Sequence, residues 1–221
     1  MQKQIIHRAN LAGVPVITAT QMLESMVANP MPTRAEAADV FNAILDGTDA
    51  LMLSGETASG EHPIECVQMM DRIARRAEPH YDHGRLERHF LAGVGTKIDT
   101  TDAIAHAVAS LAAQLRPAAI VTTSTSGQTP RLVSKFRPRV PILCATWSRH
   151  THRQMAVVWG VESTLVGRPA TTEASVETAL NAFSTLGRLH HGDEVILTAG
   201  VPAGVAGKTN LIETLTVKHE S

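Results

Sequence analysis

The sequence predicts an α/β fold with mostly parallel strands, arranged in two units. Short apolar runs alternate with helical patterns along the whole chain, the mark of strand–helix repeats around a parallel sheet. Several runs, such as Val14-Pro15-Val16-Ile17-Thr18-Ala19, are apolar almost throughout rather than alternating, as strands covered on both faces are. The pattern breaks between about Pro79 and Thr100, where Gly84, Gly93, Gly95 and scattered charges suggest a linker. The expected division is 1–80, a linker over 81–100, and 101–221.

In the first unit, Gln2 to Ala12 reads as a helix that Gly13 ends, and Val14 to Ala19 as the first strand. Thr33-Arg34-Ala35-Glu36 has capping-box spacing: the Thr33 hydroxyl accepts from the Glu36 amide while the Glu36 carboxylate reaches back to the Thr33 amide. Ala37, Val40, Phe41, Ile44 and Leu45 then make an apolar stripe at helical spacing, stopped by Asp46-Gly47. Ala50 to Leu53 is the second strand. Pro63 suits a first helical position, opening a helix whose apolar positions are Ile64, Val67, Met70, Ile73 and Ala77.

The second unit opens with a helix on Ile104, Ala107, Val108, Leu111 and Leu115. Strands are expected at Ala118 to Thr123, Pro141 to Ala145, Val161 to Val166 and Glu194 to Ala199. Helices follow the first three, near Pro130 to Phe136, His150 to Trp159 and Glu173 to Leu186. Leu211 to Val217 alternates, so it reads as a half-exposed strand closing the sheet.

Composition narrows the function classes. Of 221 residues, 43% are apolar and 19% charged, with a formal net charge of -1, so no basic field for nucleic acid is present. No stretch is long and apolar enough to span a membrane, and no signal segment is seen. Cys66 and Cys144 lie apart in apolar runs and are expected to be buried thiols in a reducing, cytoplasmic compartment.

Two polar-rich stretches carry a specific resemblance. One is Ala19-Thr20-Gln21-Met22-Leu23-Glu24-Ser25-Met26 with Asn29-Pro30-Met31-Pro32-Thr33-Arg34-Ala35-Glu36; the other runs from Asp46 through Ser54-Gly55-Glu56-Thr57-Ala58. Both resemble pyruvate kinase at the seventh and eighth strands of its barrel, and the similarity continues through Phe136-Arg137-Pro138-Arg139-Val140-Pro141-Ile142. The resemblance implies a partial TIM-type (β/α) barrel segment followed by a doubly wound, mostly parallel α/β regulatory domain. It also implies phosphoryl transfer between phosphoenolpyruvate and ADP to give pyruvate and ATP, assisted by magnesium and potassium, in a homo-oligomer.

Barrel enzymes place their chemistry on loops after the carboxyl ends of strands, and electrostatic clamping dominates phosphoryl transfer. Thr20 and Ser54 stand at such ends. The resemblance implies that Thr20 hydrogen-bonds near the enolate carbon and that Ser54 belongs to a proton relay; on chemistry alone each hydroxyl equally suits a turn. The family's metal-ligating carboxylates, phosphoryl-stabilising lysine, potassium ligands and lid are expected upstream of Met1, which falls within the sixth barrel helix. Truncation of a longer frame is the expectation, with no metal ligand in this chain and no activity alone. Ser59 stands where many relatives carry a lysine. Asp39, Asp46, Asp49 and Glu56 are expected to be solvated or capping.

Ser124-Thr125-Ser126-Gly127-Gln128-Thr129 follows a strand, and Pro130 then opens a helix. Hydroxyls, a flexible glycine and amides at a helix amino end suit an anion. The resemblance makes this the loop that holds the phosphate of an allosteric effector; otherwise Thr129 is a helix cap and the serines face solvent. Gly204 to Thr209 resembles the end of a Walker A loop but fails it, with Pro202 where the first glycine belongs and a strand following. In the family it corresponds to a second effector loop, where Lys208 either meets phosphate or stays solvated. Arg131, Lys135, Arg137 and Arg139 form a basic cluster, and His150, His152, His190 and His191 are expected in solvent. Three functions compete: part of a pyruvate kinase, a non-catalytic effector-binding module, or a misread frame.

Overall fold

The structure is a computed structural model that describes residues 1–92, 99–200 and 209–218. The chain divides into two units, Met1–Asp82 and His83–Ser221. Both are α/β with parallel-dominated sheets.

The first unit holds α1 (Gln2–Leu11), β1 (Ile17–Ala19), α2 (Arg34–Asp46), β2 (Ala50–Met52), α3 (Gly55–Ala58) and α4 (Pro63–Ala77), with a 3-10 turn at Glu24–Val27. The capping box forms as the spacing requires, with both reciprocal bonds at Thr33 and Glu36. Gly47 ends α2 at φ 98°, and its α-carbon packs so closely that an added Cβ would sit 2.5 Å from Asn10 Nδ2. β1 and β2 pair in parallel, Ile17 opposite Ala50 and Ala19 opposite Met52.

Two expectations for this unit need correction. The strands are not covered on both faces: Ile17 is 49% and Met52 45% exposed, and the register puts both on the same face of the two-stranded sheet. In α4 the buried residues are Cys66, Met69 and Ala77, while Ile64 and Val67 are exposed. The helix is apolar on two sides, and α2 and α3 cover only one of them.

The second unit contains α5 (Arg85–Leu91), α6 (Thr100–Leu115), β3 (Ala119–Thr123), α7 (Gln128–Lys135), β4 (Ile142–Thr146), α8 (Arg149–Met155), β5 (Val161–Leu165), α9 (Thr172–Thr185), β6 (Glu194–Ala199) and β7 (Leu211–Thr216). Helix α5 forms within the stretch that composition marks as a linker; Phe90 docks its apolar side against His106 and Phe136, while residues 93–98, including Gly93 and Gly95, lie outside the described residues. The sheet order is β5-β4-β3-β6-β7, parallel except for antiparallel β7. Alternate residues of the central strands feed opposite layers. Val121, Leu143 and Leu197 face Ala179 and Phe183 of α9, whereas Ile120, Ile142 and Ile196 face Val108 of α6 and Val133 of α7. Asp99, Ser148 and Thr171 cap α6, α8 and α9 through their side-chain oxygens.

Candidate functional site

Because β1 and β2 run parallel and in register, the chain leaves both strands at the same end, and Thr20 and Ser54 follow there. Both side chains are exposed. Thr20 (φ 78°) and Gln21 (φ 54°) occupy the left-handed region in succession, a conformation that is costly for a β-branched residue.

Two carboxylates hold the loop after β1. Glu56, at the start of α3, is fully buried and accepts the amides of Leu23 (3.1 Å) and Ser54 (2.7 Å). Burial acts to raise its pKa, but bonds from the Glu56, Ser54 and Leu23 backbone outweigh that and leave it lowered. Glu36 accepts from the amide and hydroxyl of Ser25 and from the amide and hydroxyl of Thr33. Here too burial opposes ionisation, and the Ser25 and Thr33 bonds overcome it, lowering the pKa to about 2.

The remaining acids correct the expectation of solvation in part. Asp39 is exposed, but Asp46 is buried and lies 3.4 Å from Lys3 Nζ, and Asp49 accepts the Val16 amide at 2.9 Å. The Ser59 hydroxyl donates to the Gly55 carbonyl at 3.4 Å, within the end of α3. Among the described residues no group of three or more His, Cys, Asp or Glu side chains is placed to hold a metal ion. The one wholly buried carboxylate, Glu56, is already engaged by amides.

In the second unit β3 delivers Ser124 to the sheet's carboxyl end, and α7 begins at Gln128. Ser124 Oγ accepts the Gly127 amide at 3.0 Å, and Ser126 Oγ accepts the Gln128 amide at 3.4 Å. Gly127 has φ 75° and is the N-cap of α7, so Thr129 is not the cap; its hydroxyl meets that of Thr209 at 2.7 Å. Thr125 is half-buried, and its carbonyl accepts the Thr151 hydroxyl at 2.6 Å. Lys208 and Pro202 lie outside the described residues.

The basic cluster of the sequence is dispersed. Lys135 pairs with Asp102 at 2.9 Å, and Arg137 is buried with its guanidinium 4.8 Å from the Trp159 ring centre. Arg139 alone of the four is exposed. Of the histidines, His150, His190 and His191 are exposed, but His152 Nδ1 lies 2.9 Å from Ser163 Oγ. A groove of about 690 Å³ opens between α9 and β7, lined by Val176, Leu180, Leu211 and Leu215, and includes none of the candidate loop residues.

Sequence reasoning placed Thr20 and Ser54 at adjacent strand ends. It missed Glu56, which ties Ser54 to Leu23 of the loop after β1 and whose only local signal was its position two residues after Ser54.

Comparison with known proteins gives two family matches: pyruvate kinase, barrel domain, over residues 1–67, and pyruvate kinase, alpha/beta domain, over residues 102–215. The chain is 48% identical over 213 residues to a pyruvate kinase of Geobacillus stearothermophilus, covering 96% of this chain and 36% of that protein. It is 43% identical over 220 residues to a pyruvate kinase of Clostridium acetobutylicum (99% and 46%) and 46% identical over 217 residues to one of Bacillus licheniformis (98% and 37%). The chain thus spans between 36% and 46% of the length of these relatives.

Proposed function

The chain belongs to the pyruvate kinase family, and from that premise we propose that it supplies the last part of the catalytic barrel and the regulatory α/β domain of a cytoplasmic, homo-oligomeric enzyme. That enzyme moves a phosphoryl group between phosphoenolpyruvate and ADP, giving pyruvate and ATP. The supporting observation is the side-by-side exit of the Thr20 and Ser54 loops from parallel strands, tied through the buried Glu56 carboxylate. Thr20 would orient a hydroxyl toward the enolate and Ser54 would take part in moving its proton, with the Ser54 amide and, three residues after Thr20, the Leu23 amide both bonded to Glu56. Magnesium and potassium would stabilise the transferring group when bound. Cationic groups around a transferring phosphoryl are worth about 10³ to 10⁵ in rate, so the chain alone is expected to turn over nothing measurable.

The test is a lactate dehydrogenase-coupled assay with magnesium, potassium, ADP and phosphoenolpyruvate. The chain is assayed alone and after co-expression with the preceding barrel segment of the Geobacillus relative. Turnover is expected only in the combined sample, and Thr20→Val should remove it. Turnover by the purified chain alone that Thr20→Val abolishes would overturn the expectation of inactivity. A combined sample that is assembled yet equally active with Thr20→Val would overturn the role of Thr20.

A second reading, a non-catalytic module that binds a phosphorylated effector, draws support from the Ser124–Thr129 loop at a strand-to-helix crossing. Calorimetric titration with fructose 1,6-bisphosphate, ribose 5-phosphate, glucose 6-phosphate and AMP separates the readings. Binding that is lost in Ser126→Ala/Thr129→Ala would support it, and no binding at millimolar concentration to the folded chain would remove it.

A further inference from the structure

Helix α8 carries no candidate residue from the sequence, yet it touches the Ser124–Thr129 loop at two points. The Thr151 hydroxyl donates to the Thr125 carbonyl at 2.6 Å, and Thr151 itself is 3% exposed. Next to it, the α-carbon of Gly127 lies so close to α8 that a Cβ would fall 2.6 Å from Met155 Cε and 3.1 Å from Thr151 Cγ2. The helix is itself fixed. Ser148 Oγ accepts the Thr151 amide at 3.2 Å, and His152 Nδ1 meets Ser163 Oγ of β5 at 2.9 Å.

A trans peptide is planar, with its C=O and N–H pointing in opposite directions. The hydroxyl that draws the Thr125 carbonyl toward α8 therefore aims the Ser126 N–H, the other end of the same peptide, away from α8. Two neighbouring amides, those of Gly127 and Gln128, are taken by Ser124 and Ser126 oxygens. The Ser126 amide meets no acceptor among the described residues.

We propose that Thr151 is a positioning residue. It locks the Thr125–Ser126 peptide so that the Ser126 amide points away from α8 and stays available to an anion's oxygen, and in this way α8 sets the affinity of the loop for a phosphoryl group. The affinity half rests on the effector reading above, whereas the locking half stands on the geometry alone.

The test uses the full chain as wild type, Thr151→Val and Thr151→Ser. Valine keeps the shape and removes the hydroxyl, and serine restores it. Inorganic phosphate is the probe in calorimetric titration, and hydrogen exchange of the Ser126 and Gly127 amides is the second readout, with amides of β3 and β6 as internal controls. In Thr151→Val, Gly127 exchange and the phosphate dissociation constant should each rise about tenfold, near the upper range for one net hydrogen bond. Thr151→Ser should return both toward wild type. Wild-type exchange in the valine variant would overturn the positioning role, as would a serine variant that behaves like valine. If the control amides also lose protection in Thr151→Val, Thr151→Ala decides by the same criterion, since it frees the carbonyl without placing a methyl against it. A wild-type chain that ignores phosphate while Thr151→Val still loosens the loop supports the lock and overturns the affinity half, whereas the effector reading falls only if the sugar phosphates and AMP also fail to bind.

Discussion

Glu56 reaches from the start of α3 to accept the Leu23 amide at 3.1 Å, so one buried carboxylate spans the loops that follow β1 and β2. Glu56→Ala is expected to orphan two amides, Leu23 and Ser54, at about 1–3 kcal/mol each. Urea unfolding should show the first unit weakened, and exchange at both amides should accelerate. Glu56→Gln keeps one acceptor oxygen and should fall between wild type and alanine. An alanine variant as stable as wild type would mean water replaces the carboxylate without loss.

Glu36 gives that same loop a dependence on acid. The Ser25 and Thr33 hydrogen bonds, outweighing burial, hold its carboxyl down at about 2, below the ordinary glutamate value of 4.5. A depressed carboxylate contributes stability that is fully present above the unfolded pKa and is lost as pH falls through the folded one. Protection of the Ser25 and Thr33 amides should therefore hold above about pH 4.5 and decline between there and about pH 2. Glu36→Gln should remove that dependence; an unchanged profile in the glutamine variant would assign the decline to other carboxylates.

Gly127→Ala combines two penalties, a left-handed φ of 75° and a Cβ 2.6 Å from Met155 Cε. The backbone part alone costs about 1–2 kcal/mol for a residue with a Cβ. Thermal unfolding of the second unit should fall accordingly. Pairing the change with Met155→Ala should relieve the steric part and leave the backbone part; strict additivity of the two changes would show that they do not meet.

Both thiols should be slow to react. Burial is the leading cause that raises Cys66, with the Glu56 and Glu65 charges adding to it, and burial pushes Cys144 up to about 11. A thiol reagent at pH 8 should titrate neither in the native chain and both after denaturation. Rapid reaction at Cys144 before unfolding would mean that β4 opens in the native state.

What the sequence made legible was local. The capping box at Thr33 and Glu36, the proline opening α4 and the alternation of Leu211 to Val217 that marks the half-exposed β7 each depend on residues a few positions apart. The misses are long-range. No spacing rule shows that Lys135 will find Asp102, 33 residues away, or that Glu56 will find Leu23 at the same separation. Helix α5 escaped notice because Gly84 and the surrounding charges read as a chain break, whereas Phe90 supplies the apolar contact that orders it. Thr151 gave no signal at all: a threonine on a short polar helix becomes informative only once the loop it holds is seen.

The oxygens of Ser124 and Ser126 already sit on the Gly127 and Gln128 amides. The loop is in this sense its own occupant, and any anion arriving there is a competitor before it is a guest. Each bond it makes to those amides replaces one the protein already had, so net gain comes only from donors the loop leaves idle. Selectivity at such a site is a matter of substitution: a weak acceptor cannot displace a hydroxyl that is tethered to the same turn, while an ion with several oxygens can exchange and still have one left over.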